Sequence, residues 1–224
     1  MSSPVLPTGK FGDWLVSVLL DLPWMDILAE IWRLARHLWQ GLADEGMYEV
    51  LEYESVLELK DAAGEQATFR KRELVRYRQN NIIAYQDHAW GDGEILIEYR
   101  CSPGIVVDRY RPGQKTFLLI SLREPKRRDD LDEFHIAWKL EGAFRRTHEL
   151  WETEVRHKTR QLKISIIFPK SRLPRRAWVQ EQVRRRRQQL GPEAIRALVD
   201  GRWQLTWRSE RPRLNERYQV QWEW

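Results

Sequence analysis

"MYEVLEYESVLELKDAAGEQATFRKRELVRYR", residues 47–78, decides the fold. Leu51, Tyr53, Ser55, Leu57 and Leu59 fall on every second position, with Glu52, Glu54 and Glu58 between them. A period of two is that of a strand with one face covered. Asp61–Glu65 has turn composition, and then Ala67, Phe69, Val75 and Tyr77 resume the same phase with basic residues opposite. Paired as a hairpin, the two strands would set a glutamate-rich outer face against an arginine-rich one. Opposite charges across a ladder help to fix register, although each exposed contact contributes only about 0.2–1 kcal/mol.

The same period continues toward the C-terminus. "NNIIAYQDHAWGDGEILIEYRCSPG" predicts a hairpin turning at Gly91-Asp92-Gly93, with Ile95, Ile97, Tyr99 and Cys101 in phase. "IVVDRYRPGQKTFLLISL" predicts two strands around Pro112-Gly113, and "EPKRRDDLDE" a charged hairpin tip. Phe134, Ile136, Trp138 and Leu140 alternate. So do Leu162, Ile164, Ile166 and Phe168, then Trp203, Leu205 and Trp207, and lastly Tyr218, Val220, Trp222 and Trp224. "PEAIRALVD" has room for two helical turns at most. About ten strands with turn signals at short spacing predict a mainly β chain, an antiparallel β-sandwich. A parallel α/β fold would need helices between the strands.

Toward the N-terminus the period changes to that of a helix. After a Pro- and Ser-containing opening, helices are expected at about 13–21 and 24–42, divided by Pro23. Trp24, Leu28, Ile31, Ala35, Leu38 and Leu42 form a helical stripe, widened by Ile27, Trp32 and Trp39. The expected organisation is a helical arm over residues 1–46, one or two amphipathic helices, followed by a β-sandwich domain over 47–224. Asp21, Asp26, Glu30, Arg33 and Arg36 argue against a membrane-spanning helix. The tryptophans would also suit peripheral contact with a membrane surface. If the apolar stripe does not dock on its own domain, it calls for a protein partner or a second copy of the chain. Trp24, Ile31, Trp32, Leu38 and Trp39 are then the candidate partner-binding residues.

Composition narrows the class. The chain has 224 residues, 42% hydrophobic and 11% aromatic, which is enough for a sizeable core and unlike a disordered protein. A single cysteine, Cys101, excludes an internal disulfide framework and a Cys-rich metal site. With no cleavable leader read at the start, the cytoplasm is the expected compartment. The net charge of +5 is uneven: residues 1–66 hold 12 Asp/Glu against 4 Lys/Arg, and the basic excess lies beyond them.

Chemistry-bearing motifs are few. The sequence has no phosphate loop, dinucleotide fingerprint or nucleophile elbow. Cys101, in phase with apolar neighbours, is expected to be a buried structural thiol. Asp87, His88, Asp92 and Glu94 cluster around one turn, where a polar hairpin tip explains them as well as a cation site would. No catalytic residues, metal ligands or cofactor are assigned, and the chain is expected not to be an enzyme.

One stretch carries dense charge: "RRAWVQEQVRRRRQQLGPE", residues 175–193. It is expected to be a strand running into a basic turn. Lys170, Arg172, Arg175, Arg176, Arg184, Arg185, Arg186 and Arg187 are the candidate anion-binding residues, and Trp178 could stack on a base. Arginine on an exposed edge strand, discouraging aggregation, accounts for the same residues. The functional expectation is a non-catalytic protein-interaction or adaptor module. A basic nucleic-acid-binding module is the alternative, and a small-ligand sensor with a pocket between the sheets is the third.

Overall fold

A computed structural model of the chain describes residues 46–224, which lie in one compact unit, Glu45–Trp224. The expected helical arm, with Trp24, Ile31, Trp32, Leu38 and Trp39, falls outside the described residues. The described part is mainly β, as the alternation predicts, with a single 3-10 turn at Pro192–Ala194 as its helical element.

The strands form three sheets. The largest has seven in the order Ile195–Ala197 (β12), Trp203–Ser209 (β13), Thr159–Phe168 (β9), Tyr48–Leu59 (β1), Gln66–Tyr77 (β2), Leu131–Glu141 (β7) and Glu94–Ser102 (β4). Four more are ordered Arg186–Gln189 (β11), Arg176–Glu181 (β10), Arg217–Glu223 (β14) and His148–Glu154 (β8). The last three are ordered Ile82–Ala89 (β3), Thr116–Lys126 (β6) and Ile105–Tyr110 (β5).

The β1–β2 hairpin forms with the charge pairing that the sequence implies. Leu57 faces Phe69 and Leu59 faces Ala67. On the outer face Arg72 reaches Glu52 at 2.7 Å and Arg70 reaches Glu58 at 3.0 Å. A bulge between Val50 and Glu52 skips Leu51, so Val50 takes the covered position instead.

Four expectations are corrected. Among the described residues the strands number fourteen, not about ten, and they divide into three sheets. β1 and β9 pair in parallel, so the large sheet is not wholly antiparallel. β3 and β4 do not form a hairpin: β3 pairs with β6 and β4 with β7. The cause lies at Gly93, whose φ of +73° is one that side chains rarely adopt. A Cβ there would sit 2.2 Å from the Glu141 carbonyl oxygen. The loop presses against the end of β7 at this glycine and so delivers the chain into the large sheet. Finally, β4 is broken by register shifts, with Leu96 and Glu98 at positive φ. Leu96 is buried, whereas Cys101 is only half-buried.

Register places Phe69, Phe134 and Phe168 on one face of the large sheet, because Leu57, Phe69 and Trp138 follow across neighbouring strands and Ile166 lies beside Leu57. Both smaller sheets pack on that face. Tyr85 of β3 stacks on Phe134 at 3.9 Å. Trp151 of β8 lies 4.7 Å from Phe69, and Trp222 of β14 meets Phe168 edge-on at 5.7 Å. The core is the apolar filling of this sandwich-like, two-layer arrangement. The second layer has a seam where the three-stranded and four-stranded sheets meet over β2.

Candidate functional site: a polar pocket at the seam

β2 carries the floor of the seam. Its covered phase runs Ala67, Phe69, Lys71, Glu73, Val75, Tyr77, so two charged residues stand among the apolar ones. A buried charge is costly unless paired and hydrogen-bonded. Here part of the pairing comes from another sheet. Lys71 Nζ lies 2.8 Å from Glu73 Oε1 and 2.7 Å from Asp87 Oδ1 on β3. The Tyr85 hydroxyl donates to Glu73 Oε2 at 2.5 Å, and the Tyr99 hydroxyl donates to Asp87 Oδ2 at 2.8 Å. Burial acts to lower the Lys71 pKa, but the Asp87 and Glu73 carboxylates outweigh it and hold Lys71 well above the usual lysine value. Burial and the neighbouring Glu73 charge push Tyr85 well up, and Tyr53 is pushed up to about 12, mainly by burial. At neutral pH Lys71 is an ammonium and Tyr85 and Tyr53 are neutral phenols.

β8 and the residues after it close the other side. Glu154 accepts from Lys115 at 2.6 Å and sits 3.5 Å from His88 Nε2. The hydrogen bond from His88 and the one from Lys115 overcome burial and bring the Glu154 pKa down to about 2. This carboxylate ties the four-stranded sheet to the three-stranded one. His157 stacks on Tyr48 at 4.1 Å, and burial brings its pKa down to about 4. Burial also lowers the pKa of His88, against Glu154.

Between these walls is a cavity of about 80 Å³. Three of its lining side chains hold buried polar atoms with no hydrogen-bond partner among the described residues: Trp138 Nε1, Trp151 Nε1 and His157 Nδ1. Arg156 also lines it. No carboxylate lies within ion-pair distance of Arg156 among the described residues, and its guanidinium lies 5.4 Å from the Phe117 ring centre.

The basic candidates are placed elsewhere. The arginine run is a tight hairpin between β10 and β11, with Arg185 at a φ of +55° at its turn. β11 is an edge strand. Lys170, Arg175, Arg176, Arg184, Arg185, Arg186 and Arg187 are exposed. Arg187 stacks on Trp178 at 4.1 Å, Arg172 stacks on Trp224 at 3.9 Å, and Arg184 lies 3.5 Å from Glu181. Part of the density is thus spent on internal contacts.

The four residues of the expected turn cluster do not gather. Asp87 is buried against Lys71, His88 turns to Glu154, and Asp92 lies on the surface 2.9 Å from Arg146. Among the described residues no group of three or more His, Cys, Asp or Glu side chains is placed to hold a metal ion. Among the same residues no helix is long and apolar enough to cross a membrane.

The sequence reading did not find Lys71, Glu73 and Asp87 as a group, although the signal was present. Lys71 and Glu73 stand on the covered phase of β2, and Asp87 shares a phase with buried Tyr85 and Ala89. Charge on the buried phase of a strand demands a partner.

No family model and no curated protein matches the chain. Solved structures similar to it include the M1 zinc metallopeptidase from Deinococcus radiodurans, at 11% identity and a TM-score of 0.42, over 78% of this chain and 42% of that one. A mutant of that enzyme bound to a Tyr-Ser-Ala substrate gives 11% identity and a TM-score of 0.44, over 77% and 42%. The chain therefore spans less than half the length of the structures it matches. The expectation of a protein-interaction or adaptor module is corrected here. The structures just named are metallopeptidases and not adaptors, and the helical arm on which that expectation rested lies outside the described residues.

Proposed function

We propose that the β domain is a binding domain that holds a small polar molecule in the pocket at the seam of its second layer. The observation that carries this reading is that three side chains lining the pocket hold buried polar atoms without a hydrogen-bond partner among the described residues, Trp138 Nε1, Trp151 Nε1 and His157 Nδ1. A buried donor or acceptor without a partner costs about 1–3 kcal/mol. Three beside one cavity favour an occupant that hydrogen-bonds. Rigid strands from both layers supply the wall, which suits recognition of one shape.

As proposed, the domain holds its ligand and does not transform it. Lys71 is an ammonium already engaged by two carboxylates, and so it is not available to a ligand as a nucleophile or base. His88 and Glu154 serve to join the sheets.

Thermal unfolding in the presence of a panel of small polar metabolites tests the reading. A ligand that fits raises Tm in a concentration-dependent way. In Ala89→Leu, where the larger side chain fills the pocket from β3, the same ligand leaves Tm unchanged. Equal shifts in both proteins, or none with any compound, would contradict it.

A further inference from the structure

The buried cluster of Lys71, Glu73 and Asp87 has the parts of a reaction as well as of an ion pair. We propose that it is the site of an internal cross-link: the Lys71 side-chain nitrogen forms an amide with the Asp87 side-chain carboxyl group, one water is lost, and Glu73 moves the protons. The step needs no ligand, cofactor or oxidant, and it is independent of the pocket reading. Before it, the three groups stand as ion pairs.

Geometry favours the reaction. Lys71 Nζ lies 2.7 Å from Asp87 Oδ1. With ordinary bond lengths this leaves the nitrogen about 3–3.5 Å from the carboxyl carbon, the separation of reacting atoms held ready for attack. Asp87 Oδ1 is also a buried oxygen without an aligned hydrogen bond. The two side chains are fixed on β2 and β3, so folding has already met the entropic cost of bringing them together.

The remaining contacts are those that amide formation needs. Glu73 Oε1, 2.8 Å from the same nitrogen, is placed to take its proton. The Tyr85 hydroxyl donates to the other Glu73 oxygen and positions it. The Tyr99 hydroxyl donates to Asp87 Oδ2 at 2.8 Å, the oxygen on which negative charge develops during attack.

The steps balance. Glu73 takes one proton from the Lys71 ammonium and passes it to Asp87 Oδ1, which leaves a neutral amine beside a neutral carboxyl group. The nitrogen electron pair attacks Cγ, and the Cγ–N bond forms. A second proton passes from nitrogen through Glu73 to Oδ1, the Cγ–Oδ1 bond breaks, and Oδ1 departs as water. One hydrogen remains on the amide nitrogen, and Glu73 ends in the protonation state in which it began.

Burial supplies the driving force. None of the Asp87 side chain and 7% of Lys71 and of Glu73 is exposed. Charges held there carry a desolvation cost, and condensation replaces an ammonium and a carboxylate with a neutral amide. The cavity that Lys71 and Glu73 line can receive the released water.

Intact-mass spectrometry of the full chain tests the proposal. Chain kept in urea from synthesis onward should have its sequence mass and lose one water after it folds. A protease digest should then contain one branched peptide that joins the Lys71 segment to the Asp87 segment. Lys71→Met has no amine to condense and should keep its full mass. Tyr99→Phe keeps the ring, removes the donor to Asp87, and should form the link at least about tenfold more slowly. Glu73→Gln should stay unlinked, and should it fail to fold, Tyr99→Phe decides. A folded wild-type chain that keeps its sequence mass on prolonged incubation, or a water loss that maps to other residues, would overturn the cross-link. So would linkage at the wild-type rate in Tyr99→Phe or in folded Glu73→Gln, because the contacts argued here would then play no part.

Discussion

Lys71 Nζ lies 2.7 Å from Asp87 Oδ1, with 7% of the lysine side chain and none of the aspartate exposed. The two residues belong to different sheets, β2 of the large one and β3 of the smallest. Their contact joins the layers at the floor of the pocket. Lys71→Met removes the only ammonium between two buried carboxyl groups. Breaking a buried pair in this way costs about 3–5 kcal/mol, whereas replacing all the charges together is far less harmful. Urea unfolding should show that loss for Lys71→Met and recover most of it in the triple variant Lys71→Met, Glu73→Gln, Asp87→Asn. A loss under about 1 kcal/mol for the single variant would mean that the contact carries little of the fold.

Stability should fall with acid in a defined window. His157 is held neutral by burial, with its pKa brought from 6.5 down to about 4. The unfolded chain therefore binds the extra proton first as pH drops. The contribution of His157 is complete above pH 6.5 and is lost as pH falls toward 4, up to roughly 3 kcal/mol in all. Glu154, lowered to about 2, adds a further loss between pH 4.5 and 2. In His157→Phe, which keeps a ring against Tyr48, the slope between pH 6.5 and 4 should flatten. An unchanged slope in urea unfolding across that range would assign it to another group.

The arginine run predicts a colloidal effect and little change in stability. β11 is an exposed edge strand, and charged edges resist strand-to-strand association. Replacing Arg184, Arg185, Arg186 and Arg187 with serine should shift the unfolding free energy by no more than about 1 kcal/mol while promoting aggregation, read by light scattering. Trp222→Ala on β14, in the same sheet but fully buried, should cost about 3–5 kcal/mol. Comparable destabilisation by the two changes would contradict the edge role.

Local period made much of this fold legible. The alternation of Phe134, Ile136, Trp138 and Leu140, and of Tyr218, Val220 and Trp222, matches their burial, and the Glu-rich and Arg-rich faces of β1 and β2 meet as their phases imply. Long-range pairing was not legible. Nothing local says that β3 joins β6, or that β9 lies parallel to β1 about a hundred residues away. The bulge in β1 shifts phase by one residue, which is why Leu51 is more exposed than strict alternation implies, and Cys101, opposite buried Ile136, is only half-buried because β4 is the edge strand of its sheet. The pocket was half legible. Charges at 71, 73 and 87 stand on covered phases, but their meeting depends on two sheets packing face to face.

The seam pocket is proposed to hold a small polar ligand beside the unpartnered groups of its lining side chains. The most direct test is the ¹H–¹⁵N spectrum of the tryptophan indole groups during titration with the small polar metabolite that raises Tm most. Saturable shifts of the Trp138 and Trp151 indole resonances, absent in Ala89→Leu, are the predicted result. Resonances of these two indoles that stay fixed to saturating ligand, or that move equally in Ala89→Leu, would contradict it.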